Sequence, residues 1–247
     1  MALGLGVVVL LYVLGFRIGS NGAFVRAGTI VLQDLPKDTE VYTDQNRAGT
    51  VRSGSTRLTL TPGTHSLIVT APDSQPWSEL VLVGEGETTF VEPLLIPLTL
   101  KERLLSEERQ EEGKQALATQ TLPTKAAPLL LQGGCAVVYV SGNRVIAEEG
   151  TGEACTAPPY LCSGEAEGCL PTVIFEPGDA LRSVIPFPNR NDALILASGN
   201  VVYVLELDPR EPRFFAPLAK GKDLRIAPWS DTSILLSKDD EARELPL

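Results

Sequence analysis

The sequence predicts an all-β protein, and two observations support this fold class. Its 247 residues include 22 glycines and 19 prolines, which stand between short runs rich in valine, isoleucine, leucine and threonine. Several of these runs alternate between apolar and polar residues, as Leu58 and Leu60 do among threonines. Strand-length alternating runs separated by turn residues are typical of β-sheets with one buried face.

The first predicted element is a transmembrane helix over residues 1–19. Residues 2–16 contain no charged side chain, and Arg17 ends the run. As a helix, the apolar residues 2–16 span about 22 Å, which is shorter than the roughly 30 Å of a hydrocarbon core. The apolar region of a cleaved signal peptide is therefore an open alternative. We prefer the anchor, because no basic residue precedes the run and no Ala-x-Ala site follows it.

A β-sandwich is predicted over residues 27–97. The expected strands are residues 28–33, 39–44, 55–61, 64–71, 78–84 and 87–95, with Pro, Gly, Asp and Asn in the turns between them.

This stretch resembles a PEGA domain, a small β-sandwich found in bacterial surface proteins. The motifs that carry the resemblance are Leu35-Pro36, Pro62-Gly63-x-His65 and Pro76-Trp77. The tetrapeptide Thr61-Pro62-Gly63-Thr64 replaces the literal Pro-Glu-Gly-Ala, but its proline and glycine still suit a chain reversal. The resemblance implies a spacer or adhesive module, with His65 as a structural residue of the turn.

Residues 98–128 are predicted to be a charged linker. A helix over residues 98–119 is compatible with the composition, although closely spaced glutamates such as Glu107 and Glu111 repel one another and Gly113 weakens it. A coiled-coil stalk or an acidic docking segment is the alternative. We prefer a solvated spacer, because no heptad pattern is sustained.

The remainder, residues 129–247, contains a repeated pattern of strand, polar turn and strand. It occurs over residues 135–149, 192–208 and 231–247. This spacing is near the repeat length of a propeller blade, but the segment is too short for a closed ring. The sequence therefore predicts an incomplete, β-propeller-like set of hairpins.

Residues 182–212, around the middle repeat, contain the motifs Phe187-Pro188-x-Arg190-x-Asp192, Val202-Tyr203 and Glu206-x-Asp208-x-Arg210. With these motifs the stretch resembles the propeller-like region that follows PEGA modules in bacterial membrane-anchored proteins.

The four cysteines are predicted to form two disulfides, Cys162 with Cys169 and Cys135 with Cys155. An even number of cysteines in a chain with an export segment favours disulfides over reduced thiols. Zinc is not expected, because the cysteines form no Cys-x-x-Cys pair and the one histidine, His65, is far upstream.

No catalytic residue, cofactor or metal is predicted. Glu206, Asp208 and Glu211 alternate with Arg210 and Arg213, which indicates local ion pairing more than a calcium site or a catalytic carboxylate pair. The candidate ligand contacts are three aromatic residues that follow prolines, namely Trp77, Tyr160 and Trp229.

These features predict a non-catalytic, single-pass envelope protein with its body on the extracytoplasmic side. The expected partners are the membrane, through the N-terminal helix, and a protein or glycan; an oligomer is compatible with the sequence. Nucleic acid is not expected, because the net charge is −10. The alternative is a hydrolase or sensor subunit whose site assembles with a partner chain, and it requires Asp192, Glu206 and Asp208 to line one pocket.

Overall fold

The computed structural model describes residues 10, 12–13, 15–18, 22–52, 54–151, 160–162 and 169–247. It divides into an N-terminal unit that ends at Leu98 and a C-terminal unit that begins at Thr99. Strands dominate both units, which confirms the all-β prediction. The boundary lies one residue beyond the predicted end of the sandwich.

The predicted N-terminal helix lies largely outside the described residues. Those described between residues 10 and 13 have helical backbone, whereas strand β1 (Phe16–Ile18) pairs with strand β2 (Phe24–Arg26). Gly15, with φ 87°, separates the two conformations. The predicted C-terminal boundary of this helix, residue 19, therefore lies too far along the chain, because Phe16 already belongs to a strand. No helix in the described part of the chain is long and apolar enough to cross a membrane.

The rest of the N-terminal unit consists of two sheets. Its strands are β3 (Gly28–Leu32), β4 (Glu40–Thr43), β5 (Asn46–Thr50), β6 (Thr56–Leu60), β7 (Gly63–Thr70), β8 (Trp77–Val83) and β9 (Thr88–Val91). One sheet has the order β6-β3-β9, in which β3 and β9 are parallel, and the other has the antiparallel order β5-β4-β7-β8. All six predicted strands are present. Strand β5 was not predicted, because its residues are mostly polar and exposed.

Large apolar side chains from both sheets make up the interior of this unit. Ile30 and Leu32 come from one sheet, and Leu67, Val69 and Trp77 come from the other; all five have no exposed surface. Alternation between buried and less buried residues along β7 follows from the two-residue period of a strand.

The C-terminal unit contains three four-stranded antiparallel sheets and one helix. Its elements are β10 (Arg103–Leu104), α1 (Glu107–Thr119), β11 (Leu129–Leu131), β12 (Ala136–Ser141), β13 (Arg144–Glu149), β14 (Thr172–Phe175), β15 (Leu181–Pro186), β16 (Ala193–Ser198), β17 (Val201–Glu206), β18 (Phe215–Lys220), β19 (Arg225–Ser230), β20 (Ser233–Lys238) and β21 (Glu241–Pro246). A short 3-10 turn, Gln132–Gly134, follows β11. The sheet orders are β11-β12-β13-β14, β15-β16-β17-β18 and β10-β21-β20-β19.

The three predicted hairpins are confirmed as β12–β13, β16–β17 and β20–β21. The first two sheets share one buried apolar cluster, to which Val138, Val145, Leu194 and Leu196 belong. The three sheets in the described part of the C-terminal unit are fewer than the four blades that the smallest closed propellers usually contain.

Residues 99–128 are not a solvated spacer, because they contribute β10 and α1 to the C-terminal unit. Strand β10 completes the sheet that ends the chain by pairing with β21. The Gln110 side chain donates to the Ala242 carbonyl and accepts from the Ala242 amide, each at 3.0 Å. Leu105 and Leu117 pack with Ala227 and Leu235. The predicted charged linker is thus folded on one face of a sheet.

Gly113 permits this close packing of α1. A Cβ atom at this position would lie 2.8 Å from the Cβ of Ala242. The glycine that the sequence suggested as a weakness of the helix is therefore the residue that lets the helix approach the sheet.

Candidate binding surface

Three aromatic rings form a cluster where the edge strands of two sheets, β14 and β18, come together beside the inner strand β17. Phe175 ends β14, Phe215 begins β18, and Tyr203 lies on β17 beside it. The Tyr203 and Phe215 rings stack with their centroids 4.9 Å apart, and Phe175 lies 5.4 Å from Phe215 and 6.2 Å from Tyr203. We call these three residues the aromatic strip.

The aromatic strip reaches the surface. Phe215 is 40% exposed, and Phe175 and Tyr203 are partly exposed. In the same strand as Phe175, Val173 is 42% exposed, and Leu170, just before the strand, is 69% exposed. Clustered exposed apolar residues of this kind are typical of a surface that another molecule covers.

A hydrogen bond between the two outer strands fixes the position of the strip. The Arg213 guanidinium, two residues before β18, donates to the Ile174 carbonyl of β14 at 2.8 Å. Because Ile174 and Phe175 are adjacent, this bond holds the edge of one sheet against the start of the other. The rings are therefore presented by strands, whose positions are more rigid than those of loops.

Local sequence patterns did not reveal the aromatic strip. Tyr203 lies in the predicted repeat over residues 192–208, whereas Phe175 and Phe215 lie in strands that the sequence did not predict. The three strands are far apart in the chain, and the one signal in each was a single aromatic residue. These aromatic residues can be recognised as one surface only when the two sheets are known to be neighbours.

The acidic residues of the middle repeat are paired with arginines. Both oxygens of Asp192 accept from Arg190, at 2.8 and 2.7 Å. The same guanidinium lies 3.8 Å from Glu206, whose side chain is only 7% exposed. Arg210 binds Asp208 through Nε at 2.9 Å. These pairs neutralise the carboxylates that a catalytic site would need to leave available.

Glu211 follows the same pattern at the surface. Its carboxylate is 78% exposed and lies 3.6 Å from Nε of Arg213. The local ion pairing that the sequence predicted is therefore present around Arg210 and Arg213. Within the described ranges, no group of three or more His, Cys, Asp or Glu side chains could hold a metal ion.

Tyr160 lies beside this acidic region with its hydroxyl inside the protein. The hydroxyl oxygen is buried, and no described residue forms a hydrogen bond of good geometry with it. Burial raises the pKa of Tyr160 well above its usual value, and the carboxylates of Asp208 and Asp192 raise it further. The phenol therefore stays neutral, and its ring packs against the shared core of the first two sheets.

The two tryptophans were predicted to contact a ligand, but both pack against other parts of the protein. Trp77 has no exposed surface, because its indole fills the interior of the N-terminal unit. Trp229 packs with α1, and the Arg109 guanidinium lies 4.4 Å from its ring centroid. A ligand at the surface of this structure would not reach Trp77, and it would meet Arg109 over Trp229.

Cys162 and Cys169 form the predicted disulfide. Both side chains pack against the apolar cluster of the first two sheets. Cys135 is also disulfide-bonded, and none of the described cysteines is a free thiol. Cys155, its predicted partner, lies outside the described residues, so that pairing stays a prediction.

His65 lies within β7 instead of in the turn before it. Its Nδ1 is 2.7 Å from Asp44 and its Nε2 is 2.8 Å from the Thr61 carbonyl oxygen. The backbone amide of Ser66 also donates to Asp44, at 3.0 Å. Both ring nitrogens of His65 thus have structural partners. Gly63, with φ 138°, makes the reversal that precedes the strand.

The sequence matches no model of a known protein family. It also matches no curated protein. The PEGA and propeller resemblances therefore stay predictions, and the surface must be interpreted from its own geometry.

Proposed function

We propose that this protein is a non-catalytic, membrane-anchored module of the bacterial cell envelope that binds a protein or a glycan through the aromatic strip. In this proposal the N-terminal apolar run is the anchor, and the body lies on the extracytoplasmic side. The first body is a PEGA-type sandwich that acts as a spacer, and the second is a propeller-like set of sheets.

The aromatic strip is the observation on which the binding role depends. A stacked, partly exposed Tyr203–Phe215 pair offers a flat apolar face, which suits a sugar ring or an apolar peptide side chain. Aromatic residues are enriched among the side chains that dominate binding energy at interfaces.

The Cys162–Cys169 disulfide supports the extracytoplasmic location. Disulfides form and persist in oxidising compartments and are rare in the cytosol. The arginine partners of Asp192, Glu206 and Asp208 give no support to the alternative of a hydrolase subunit.

Binding of the full chain to a glycan and to envelope proteins tests the proposal. Insoluble peptidoglycan sacculi serve as the glycan probe in co-sedimentation. A photoactivatable phenylalanine at position 215, used in intact cells, is the probe for a protein neighbour. We expect either a saturable interaction with sacculi or a defined crosslinked protein.

A matched pair of variants shows whether the strip is responsible. Phe215→Ala removes the most exposed ring, and we expect about ten-fold weaker binding. Leu104→Ala is the control, because Leu104 is 55% exposed in the same unit but belongs to another sheet. Equal binding by the two variants, or binding by neither probe, would contradict the proposal.

A further inference from the structure

The hairpin β1–β2 has an apolar face that no other described element covers fully. Ile18 and Phe24 are directly paired, and they are 64% and 47% exposed. Phe16 lies two residues before Ile18 and so shares its face of the hairpin. Directly paired residues of an antiparallel ladder lie side by side, so the side chains of Phe16, Ile18 and Phe24 make one continuous apolar surface.

Exposed apolar residues are concentrated in this part of the chain. Leu10, Tyr12 and Val13 are 57%, 61% and 75% exposed. Together with Ile18 and Phe24 they are five of the thirteen large hydrophobic residues that are exposed in the described ranges. The hairpin therefore continues the apolar surface that precedes it.

The charge of this region is opposite to that of the whole chain. Arg17 and Arg26 are the only charged side chains in residues 1–33, and the first acidic residue is Asp34. The remaining sequence carries all 31 acidic residues, which give the net charge of −10. One carboxylate reaches the hairpin: Glu85 accepts a hydrogen bond from the Arg26 backbone amide at 3.2 Å.

Backbone contacts hold the hairpin beside the apolar run. The Gly15 amide donates to the Tyr12 carbonyl at 3.2 Å, and the Ala27 amide donates to the Gly15 carbonyl at 2.9 Å. The Arg17 guanidinium lies 3.8 Å from the centroid of the Tyr12 ring. The chain thus leaves the apolar run, makes the hairpin and returns to the same point before β3 begins.

We infer that the β1–β2 hairpin is a membrane-contact element that inserts its apolar face among the headgroups of an anionic bilayer. This inference rests on the proposed membrane anchor and adds a second, interfacial contact to it. Aromatic side chains favour the boundary between water and lipid, and arginines near it are attracted to anionic headgroups. A second protein copy fits less well, because it would bring the same positive charge to the interface.

Depth-dependent fluorescence quenching tests the hairpin separately from the anchor. The full chain is reconstituted with phosphatidylcholine vesicles, with or without phosphatidylglycerol, whose acyl chains are brominated near the headgroup. Phe24→Trp places a reporter on the hairpin, and Leu130→Trp, at a residue that is 67% exposed, is the control. Both are made in a Trp229→Phe background, in which the remaining Trp77 is buried.

The hairpin reporter and the control should respond differently. We expect the brominated lipid to reduce Phe24→Trp emission to about half or less, because an interfacial apolar face is buried several ångströms deep, and to leave Leu130→Trp unchanged. Phosphatidylglycerol should strengthen the quenching. The double variant Arg17→Gln, Arg26→Gln should remove that enhancement, whereas Arg57→Gln, a change of an exposed arginine in the same unit, should retain it.

Vesicle flotation of the same samples separates the two proposals. If the chain floats with the vesicles but Phe24→Trp is not quenched, the hairpin inference is wrong and the anchor stands. If the chain does not float, the anchor is wrong and the hairpin inference is overturned with it. Circular dichroism of each variant confirms that the sheets are intact before quenching is compared.

Discussion

The two units of the chain hold their strands together over very different distances in the sequence. In the C-terminal unit, Glu102 binds Lys238 at 2.8 Å across 136 residues, and Gln110 binds the Ala242 backbone across 132 residues. In the N-terminal unit, the Asp44–His65 contact spans 21 residues. The C-terminal unit is thus closed by its two ends across more than 130 residues, whereas the N-terminal unit is closed by the β3–β9 pairing and the Arg26–Glu85 hydrogen bond, which spans 59 residues.

One ion pair from each unit allows a comparison of burial. Side chains of Glu102 and Lys238 are 19% and 26% exposed. Those of Arg47 and Glu40, which are 2.6 Å apart in the N-terminal unit, are 57% and 38% exposed. Because water screens exposed pairs strongly, the sequence-distant contacts should contribute more to stability than the local ones.

The largest expected effect comes from Leu105, an apolar residue near the start of the C-terminal unit that packs against the last sheet. Leu105 is 7% exposed and packs between α1 and the last sheet, whereas its neighbour Leu104 is 55% exposed. We expect Leu105→Ala to lower the free energy of unfolding of the C-terminal unit by about 2–5 kcal/mol through lost burial and a cavity. Leu104→Ala should change it by less than about 0.5 kcal/mol.

Urea unfolding followed by tryptophan fluorescence measures this difference. Trp229 packs against α1 and reports on the C-terminal unit, and Trp77 lies in the interior of the N-terminal unit. Selective substitution of either tryptophan by phenylalanine assigns the transitions. Similar midpoints for Leu105→Ala and Leu104→Ala would show that the closing segment does not support the unit.

This division between local and distant contacts explains which parts of the fold the sequence could predict. Hairpins such as β16–β17 were recognisable, because alternation and a polar turn lie within one short segment. Strands β10 and β5 were not, because one is only two residues long and the other is polar and exposed. The glutamates that suggested a solvated linker are exposed on the outer side of α1. Few residues of this helix are buried, so its packing was hard to recognise from the sequence.

The candidate surface was less predictable than the fold for the same physical reason. Trp77 was a reasonable choice from its place after a proline, but the exposure of a side chain depends on which face the sheet presents. Phe175, Tyr203 and Phe215 are unremarkable in their own strands. They form a surface only because two sheets share a core, and no local pattern encodes that pairing.

A smaller effect is expected when the Glu102 carboxylate loses its charge. Glu102→Gln leaves the ammonium group of Lys238 and the guanidinium of Arg243 without their shared partner in a half-buried place. We expect a loss of about 1–2 kcal/mol in the unfolding free energy of the C-terminal unit. Glu40→Gln is the matched change in the N-terminal unit and should cost less stability than Glu102→Gln, because the Arg47–Glu40 pair is exposed to water.

The same urea titrations decide this prediction, and salt sharpens it. Sodium chloride should reduce the effect of Glu40→Gln more than that of Glu102→Gln, since exposed pairs are screened more completely. If both variants lost equal stability, burial of the long-range pair would not be the reason for the contrast between the units.

The smallest expected effect is the pH-dependent contribution of Asp44. Burial alone raises its pKa, but hydrogen bonds from His65 and Ser66 outweigh this and hold the pKa below its ordinary value of 3.8. A carboxyl whose pKa is lowered by folding stabilises the protein above the unfolded pKa, and this contribution disappears as the pH falls through the folded pKa. The side chain is 50% exposed, so the contribution is small.

Thermal unfolding of Asp44→Asn, followed through Trp77, should therefore show a slightly lower Tm than the parent at neutral pH. Asparagine tolerates the positive φ of 48° at this position, so the backbone is not the cause. The difference should vanish as the pH falls below the lowered pKa that Asp44 has in the folded state, where the parent carboxyl is protonated as well. Asp34→Asn, also at positive φ, is the control for the backbone conformation. If the difference in Tm persisted at low pH, Asp44 would stabilise the protein through packing. Its contacts with His65 and Ser66 would then not depend on the charge of the carboxylate.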